Sequence, residues 1–224
     1  MLEAGGLIAG RDFDVVFSPE RVKSQFVLRN LTRNTKVVGG LTPAGSARAA
    51  HFYQTYLGAP VAEVGSPEAA ELVKLAGMVY RDVTIAISNE IARYAEAVGV
   101  DIHAILPAVN TDGEAALLTP GIGVGGHCAP VYPYFVIRDG ERRGIDMAMT
   151  RLGRHLNDEQ AAWAIDKLER VWRPMRDQKA LVLGLGFRPQ VKEHICSSSF
   201  LIGSALRERG ARVFLNDALY SDDE

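Results

Sequence analysis

The residue best suited to chemistry in this sequence is Cys128, which ends the run Gly121-Ile-Gly-Val-Gly-Gly-His-Cys128. A cysteine reacts as its thiolate, which adds to electrophilic carbon and leaves again when the adduct breaks down. Gly125 and Gly126 permit a tight backbone path, and the neighbouring His127 could favour the thiolate. Because adjacent side chains often point apart, we expect a structural role for His127. Cys128 itself is interpreted either as a nucleophile or as an inert buried thiol.

A second glycine pattern, Gly184-Leu-Gly186, directly follows the apolar run 179–183. In a dinucleotide-binding loop the pattern is G-x-G-x-x-G, and the helix that follows receives the pyrophosphate at its N-terminus. Here the third glycine position falls on Pro189. We therefore expect a strand-to-helix turn without a bound phosphate.

The element expected to position this chemistry is a long helix between Ser66 and Gly99. Ser66 can cap a helix that begins at Pro67, and apolar residues recur at helical spacing as far as Val98. A helix of this length measures about 45 Å. It needs burial along much of its length, and we expect a second subunit to provide that burial. The sequence thus predicts a homodimer formed through the 67–98 helix.

The remaining elements follow from capping residues and turn signals. Gly99 ends the long helix, and Asp101 can cap the next one. The residues 179–217 predict a β-α-β unit that leaves sheet edges and a helix face uncovered. Strands are predicted at 14–17, 35–38, 60–64, 179–183 and 212–217, and helices from 43, at 102–109, from 134, at about 147–172 and at 197–209.

The bulk composition is that of an ordinary soluble globular protein, with 47% hydrophobic and 23% charged residues in 224. A net charge of -2 gives no electrostatic reason to expect nucleic acid or a membrane surface as partner. The N-terminus has no basic segment before an apolar core, as a signal peptide would. Two cysteines do not make a disulfide framework. We expect a cytoplasmic protein.

Several short motifs occur together in a recognisable order. They resemble the UDP-glucose/GDP-mannose dehydrogenase family, most closely its UDP-N-acetylhexosamine branch. The resemblance implies a mainly α fold with partial α/β character, in which a helical dimerisation domain with a long central helix is flanked by remnants of two Rossmann-like domains. The motifs are Phe17-Ser-Pro-Glu-Arg-Val22, Lys36-Val-Val-Gly-Gly40, Glu71-Leu-Val-Lys-Leu75, Ser88-Asn-Glu90, Asn110-Thr111, the run that ends at Cys128, Arg154-His-Leu-Asn-Asp158 and Gly184-Leu-Gly-Phe-Arg-Pro189.

The same resemblance implies three domains. Residues 1–42 are the remnant of an N-terminal α/β domain, 43–175 the central helical dimerisation domain, and 176–224 a partial C-terminal Rossmann-like domain. The glycine-rich loop for the nicotinamide cofactor is expected upstream of Met1, so we expect no cofactor in this chain. NAD is expected only if a separate chain supplies the domain that binds it.

The family chemistry that the resemblance implies is oxidation of a primary alcohol to a carboxylate through a cysteine thioester. Cys128 matches the nucleophile, Glu20 the glutamate linked to thioester hydrolysis, and Lys74 a lysine that stabilises oxyanions. The residues also allow plainer interpretations. Glu20 could be a turn carboxylate paired with Arg21, and Lys74 could pair with Glu71 one helical turn earlier.

The sequence departs from the family pattern at four positions. The resemblance implies an oxyanion-binding asparagine where Met78 stands and an aspartate for proton and water chemistry where Tyr132 stands. It implies arginines at the positions of Glu114 and Ile195. Loss of one oxyanion donor typically costs about 3 to 4 kcal/mol of transition-state stabilisation. The residues expected to contact substrate are Glu114, Met78, Tyr132, Gly125, Gly126, His127 and Arg154.

These departures favour a repurposed enzyme over an ordinary dehydrogenase. We expect Cys128, with Glu20 and Lys74, to perform non-redox chemistry on a cytoplasmic small molecule in a biosynthetic pathway. One alternative is a non-catalytic dimeric binding or partner protein. Another is the substrate half of a split NAD-dependent nucleotide-sugar dehydrogenase.

Overall fold

The computed structural model describes residues 2–221, which divide into two compact units at Gly77 and Met78. The fold is mainly helical with two small sheets, as predicted. The helices are α1 (Val27–Arg33), α2 (Pro43–Leu57), α3 (Pro67–Ala97), α4 (Ile102–Val109), α5 (Tyr132–Arg142), α6 (Ala148–Val171) and α7 (Ser198–Glu208). The strands are β1 (Val16–Phe17), β2 (Lys36–Gly40), β3 (Val61–Glu63), β4 (Lys179–Leu183) and β5 (Arg212–Asn216).

The first unit is built on a three-stranded sheet in which β2 is central. β1 pairs with β2 in the antiparallel sense and β3 in the parallel sense. The branched side chains of Val37 and Val38 are buried in this sheet. A Cβ at Gly39 would lie 1.8 Å from the carbonyl oxygen of Ser66, so only glycine permits the backbone to approach the start of α3.

The long helix α3 has 31 residues and begins as the sequence predicts. The hydroxyl of Ser66 accepts the N–H of Ala69 at 3.1 Å, which satisfies one of the free donors of the first turn. Gly99, with φ +74°, follows the helix in the left-handed conformation that favours glycine. The predicted 67–98 helix is therefore confirmed to within one residue.

The second unit has its main hydrophobic cluster where α6, α7 and the β4–β5 sheet meet. Ile165, Met175, Ala205, Leu206 and Ala211 form this cluster. β4 and β5 are parallel, with Leu181 opposite Phe214. The predicted β-α-β unit is confirmed.

Some elements differ from their predictions. α1 was not predicted, because its apolar residues do not face a core and no residue of the helix is buried. A short 3₁₀ turn at Glu3–Gly5 was also missed. α5 begins at Tyr132, two residues before the predicted start. The three domains 1–42, 43–175 and 176–224 stay a prediction beside the two compact units. Among residues 2–221, no helix combines the length and apolar character that a bilayer span requires.

Candidate functional site

Cys128 lies in the turn that leads into α5. Its side chain is half-buried and forms no disulfide. Its carbonyl oxygen accepts the N–H groups of Val131 at 3.1 Å and Tyr132 at 2.9 Å, which closes the turn. The backbone that follows the thiol is thus fixed by local hydrogen bonds.

The glycines before Cys128 allow the loop to pack closely against the segment that follows β4. The N–H of Gly126 donates to the carbonyl oxygen of Ile195 at 2.9 Å. A Cβ at Gly125 would lie 2.5 Å from Cβ of Phe187, and a Cβ at Gly126 would lie 3.0 Å from Cε2 in the ring of Phe187. Gly126 also has φ +95°. These contacts explain why Gly125 and Gly126 are glycines; contact with a substrate stays a prediction.

His127 is held by a carboxylate of the same segment. Its Nε2 lies 3.1 Å from Oε2 of Glu193, and the His127 side chain is 61% exposed. This pairing was not predicted, because Glu193 is 66 residues away and no local pattern links the two. The contact fits the expected structural role of His127, while its expected role in substrate binding is untested.

Glu20 and Lys74 are brought together in the first unit although 54 residues separate them. The ammonium of Lys74 donates to the carbonyl oxygen of Glu20 at 2.6 Å and lies 4.0 Å from its carboxylate. The Glu20 carboxylate also accepts the N–H of Val22. The Lys74 side chain is only 15% exposed. The two residues expected to assist the nucleophile therefore contact each other directly.

Arg154 lies in a buried polar network of the second unit. Its side chain is 2% exposed, and its guanidinium pairs with the fully buried Asp82 and with Asp158. Asn157 donates to the same Asp82 carboxylate at 2.9 Å. Burial raises the pKa of Asp82, and the charge of Arg154 opposes that rise. In this arrangement Arg154 holds α6 to α3, and its expected contact with substrate stays a prediction.

The sequence contains a signal for this network. Asp82 lies on the apolar stripe of α3, three residues after Val79 and four before Ala86. A carboxylate on a buried helical face requires a partner, since an unpaired buried charge is very costly. Arg154 and Asn157, three residues apart on another predicted helix, are suitable partners.

Glu114 lies in an exposed loop between α4 and the glycine-rich run. The Asn110 side chain closes this loop by donating to the carbonyl oxygen of Leu117 at 2.9 Å and accepting its N–H at 2.8 Å. The Asp112 carboxylate accepts the N–H of Glu114 at 3.0 Å. The Glu114 side chain is therefore presented on an ordered loop at the surface.

Met78 and Tyr132, the two substitutions at expected catalytic positions, are both half-buried. Met78 lies within α3, one helical turn after Lys74. The ring of Tyr132 stacks on Phe135 with a centroid distance of 5.7 Å. Both side chains add apolar surface where the resemblance implies polar groups.

The turn at Gly184 is closed by a carboxylate of the same chain. Oδ2 of Asp217 accepts the N–H of Leu185 at 2.7 Å and that of Gly186 at 3.0 Å. The N–H groups of Gly186, Leu219 and Leu185 hold the pKa of Asp217 below its usual value. The donors that a phosphate would use at this turn therefore already bind an anion. No cluster of three or more His, Cys, Asp or Glu side chains suited to a metal occurs in residues 2–221.

Comparison with known proteins agrees with the fold and the motifs. Residues 68–159 match the sequence model of the UDP-glucose/GDP-mannose dehydrogenase family, central domain. UDP-N-acetyl-D-mannosamine dehydrogenase of Pyrococcus horikoshii is 32% identical over 187 residues, which are 82% of this chain and 44% of the relative. The enzyme of the same name from Escherichia coli K12 is 30% identical over 190 residues, or 81% of this chain and 44% of the relative.

Solved structures give the same result. The P. horikoshii UDP-D-ManNAc dehydrogenase has a TM-score of 0.86 at 29% identity, over 96% of this chain and 51% of that one. A UDP-glucose dehydrogenase from Pyrobaculum islandicum has a TM-score of 0.85 at 29% identity, over 93% and 48%. The fold of this chain is thus similar to about half of each of these dehydrogenases. The chain is a relative of the UDP-sugar dehydrogenases, and the match to the central domain of the UDP-glucose/GDP-mannose dehydrogenase family extends over residues 68–159. It spans about half the length of these relatives.

Proposed function

We propose that this chain is a cysteine-dependent enzyme that acts on a small molecule, with Cys128 as its nucleophile. The observation that supports this most is the position of the thiol, which is half-buried at an ordered turn and not enclosed in the core. Structural cysteines that are inert are usually fully buried, whereas reactive ones are partly exposed. The proposal therefore favours the nucleophile over the inert thiol.

The proposed chemistry is non-redox because two positions needed for the family oxidation have changed. Met78 cannot donate a hydrogen bond to an oxyanion, and Tyr132 cannot accept a proton as a carboxylate does. A thiolate at Cys128 can still attack an acyl carbon. The S–C bond forms while the bond to the leaving group breaks, the leaving group departs with a proton, and water then hydrolyses the thioester.

Glu20 and Lys74 are the proposed assisting groups. The contact between them supports this role, because the hydrogen bond to the Glu20 carbonyl oxygen orients the Lys74 ammonium beside the Glu20 carboxylate. Lys74 would stabilise developing negative charge, and Glu20 would activate water. We propose a cytoplasmic setting and a substrate that resembles a sugar nucleotide.

A sugar-nucleotide electrophile tests the proposal. A UDP-N-acetylhexosamine that carries a chloroacetamide alkylates a thiol by forming an S–C bond and releasing chloride. We expect it to label Cys128 faster than iodoacetamide does, and we expect free UDP-N-acetylhexosamine to slow this labelling. Cys128→Ser should abolish the labelling, and Cys196→Ser, which alters the exposed second thiol, should preserve it. Equal labelling of both cysteines without protection would refute the proposal.

A dimeric binding or partner protein is the second candidate. A stripe of side chains along α3 favours a dimer for the proposed enzyme and for the partner protein alike. Exposed apolar side chains recur there at spacings of seven, four, three and four residues, the pattern of a helix that packs against another helix. These residues are Tyr80, Ile87, Ile91 and Tyr94 of α3 and Val98 directly after it. Co-purification with a full-length dehydrogenase, and no labelling of Cys128, would favour the partner protein. NAD reduction when a UDP-sugar and a separate cofactor-binding chain are added would instead identify the substrate half of a split dehydrogenase.

A further inference from the structure

A cavity of about 760 Å³ lies in the second unit, between the end of α3, the start of α4 and the middle of α6. This volume falls within the range of about 300 to 1,000 Å³ that is typical of small-molecule sites. None of the residues assigned above to the cysteine chemistry lines it. The cavity is therefore a candidate binding site separate from the residues of the cysteine chemistry.

The main polar feature of the cavity is the guanidinium of Arg93. It lies over the ring of Trp163, 4.6 Å from the centroid, and donates a hydrogen bond to the amide oxygen of Gln160. Within residues 2–221, no carboxylate lies at ion-pair distance from Arg93. Burial lowers the pKa of Arg93, although the charges of Glu159 and Glu90 oppose this shift. A partly desolvated positive charge thus has only neutral hydrogen-bond partners.

The other Lys or Arg side chain in the wall is already paired. Lys167 pairs with Glu96 at 2.7 Å. The Asp101 carboxylate accepts the N–H of His103 at 2.9 Å, where it caps α4. Arg93 is therefore the cation that remains available to a ligand.

A second observation comes from unsatisfied donors in the same wall. Asn89 is 2% exposed, and its amide oxygen accepts the N–H of Gly121 at 2.9 Å. Among residues 2–221, neither Nδ2 of Asn89 nor Nε of Arg93 has a hydrogen-bond partner, and both atoms are buried. Buried polar groups are nearly always hydrogen-bonded, and each exception carries a cost. Two unsatisfied N–H groups in the wall add to the positive potential of Arg93 and so favour an anionic ligand.

We propose that this cavity binds a small organic anion, a planar ring that carries a carboxylate or a phosphate. The anion displaces the Gln160 amide from Arg93 and replaces a neutral hydrogen bond with a charge-assisted one. The ring packs against Trp163 and the apolar side chains of Ile102 and Ile122. This site does not depend on Cys128, so it stands or falls separately from the proposed cysteine chemistry.

Trp163 provides a direct measurement of binding. The chain has two tryptophans, so a Trp172→Phe variant leaves Trp163 as the only one. AMP serves as the probe because it joins a planar ring to a phosphate, and adenosine and inorganic phosphate test each half alone. We expect saturable quenching by AMP, with much weaker binding of adenosine and of phosphate. Absence of saturable quenching, or adenosine or phosphate binding as tightly as AMP, would overturn the proposal.

Charge variants in the same background locate the anion. Arg93→Gln should weaken AMP binding about tenfold or more, because hydrogen bonds to charged groups contribute strongly to binding. Arg81→Gln removes an exposed charge from the same helix and should change the affinity by less than about twofold. Ala164→Leu adds bulk to the cavity wall, keeps the charge of Arg93 and should also weaken binding. Equal effects of Arg93→Gln and Arg81→Gln, or unchanged affinity in Ala164→Leu, would refute the site.

Discussion

Replacement of Gly125 by alanine tests whether the cysteine loop is fixed by its packing against Phe187. The added Cβ would lie 2.5 Å from Cβ of Phe187 and 3.0 Å from the carbonyl oxygen of Cys196. Both obstacles are close to the backbone, so a side-chain rotation cannot remove them. Either the 123–128 loop or the 186–196 segment has to move.

The expected cost follows from the size of the overlap. A non-bonded carbon pair is comfortable at about 3.5 to 4.0 Å, so the new contact is more than about 1 Å too short. Extra groups forced into a packed region typically cost about 1 to 3 kcal/mol. We expect Gly125→Ala to lower the free energy of unfolding of the second unit by this amount, and to alter the alkylation rate of Cys128 three residues away.

Urea unfolding followed by tryptophan fluorescence is the suitable assay, because Trp163 and Trp172 both lie in the second unit. Gly121→Ala is the matched control. Gly121 belongs to the same glycine-rich run, but a Cβ there would meet nothing within 4 Å. If both variants unfold at the same urea concentration as the unmodified chain, the packing argument is wrong.

Three further variants test other features. Asp82→Ala leaves Arg154 without its buried partner and should cost about 3 to 5 kcal/mol in urea unfolding, whereas Asp146→Ala, at an exposed ion pair, should cost at most about 1 kcal/mol. Asp217 has a lowered folded pKa, so its stabilisation is present above its ordinary pKa and is lost as the pH falls through the folded value. Asp217→Asn should therefore reduce the loss of stability between pH 7 and pH 3; an unchanged loss would contradict this. Ile91→Glu should convert a dimer to a monomer in sedimentation velocity. Phe214→Glu, which alters an exposed apolar position on β5, should leave the dimer intact. A dimer that survives Ile91→Glu would exclude the α3 stripe as the dimer interface.

The sequence predicted the elements whose start and end signals are local. Ser66 and Asp101 act as caps in the structure, and α3 and α4 therefore begin where the sequence places them. α1 escaped prediction because it buries no residue and so leaves no apolar periodicity to detect. Local chemistry determines caps and turns, whereas an exposed short helix depends on weaker contacts.

The candidate site is assigned from the resemblance, and its contacts could not be predicted from the sequence. The motifs assign roles to Cys128, Glu20 and Lys74, and these roles stay predictions; the contact between Glu20 and Lys74 is known only from the structure. The pairing of His127 with Glu193 joins segments 66 residues apart, and no periodicity encodes such a distance. Arg154 was assigned to substrate from its motif, whereas its burial with Asp82 depends on how two helices pack.

The carboxylate of Asp217 has a consequence for any ligand of the Gly184 turn. Because it is tethered to the same chain, it competes for the two N–H groups at an effective concentration of about millimolar or above. A free phosphate has to displace this competitor and leave Oδ2 of Asp217 without the N–H groups of Leu185 and Gly186. The turn therefore disfavours a free phosphate, because Asp217 occupies the same N–H groups. Only a ligand that is also held by contacts elsewhere would bind there.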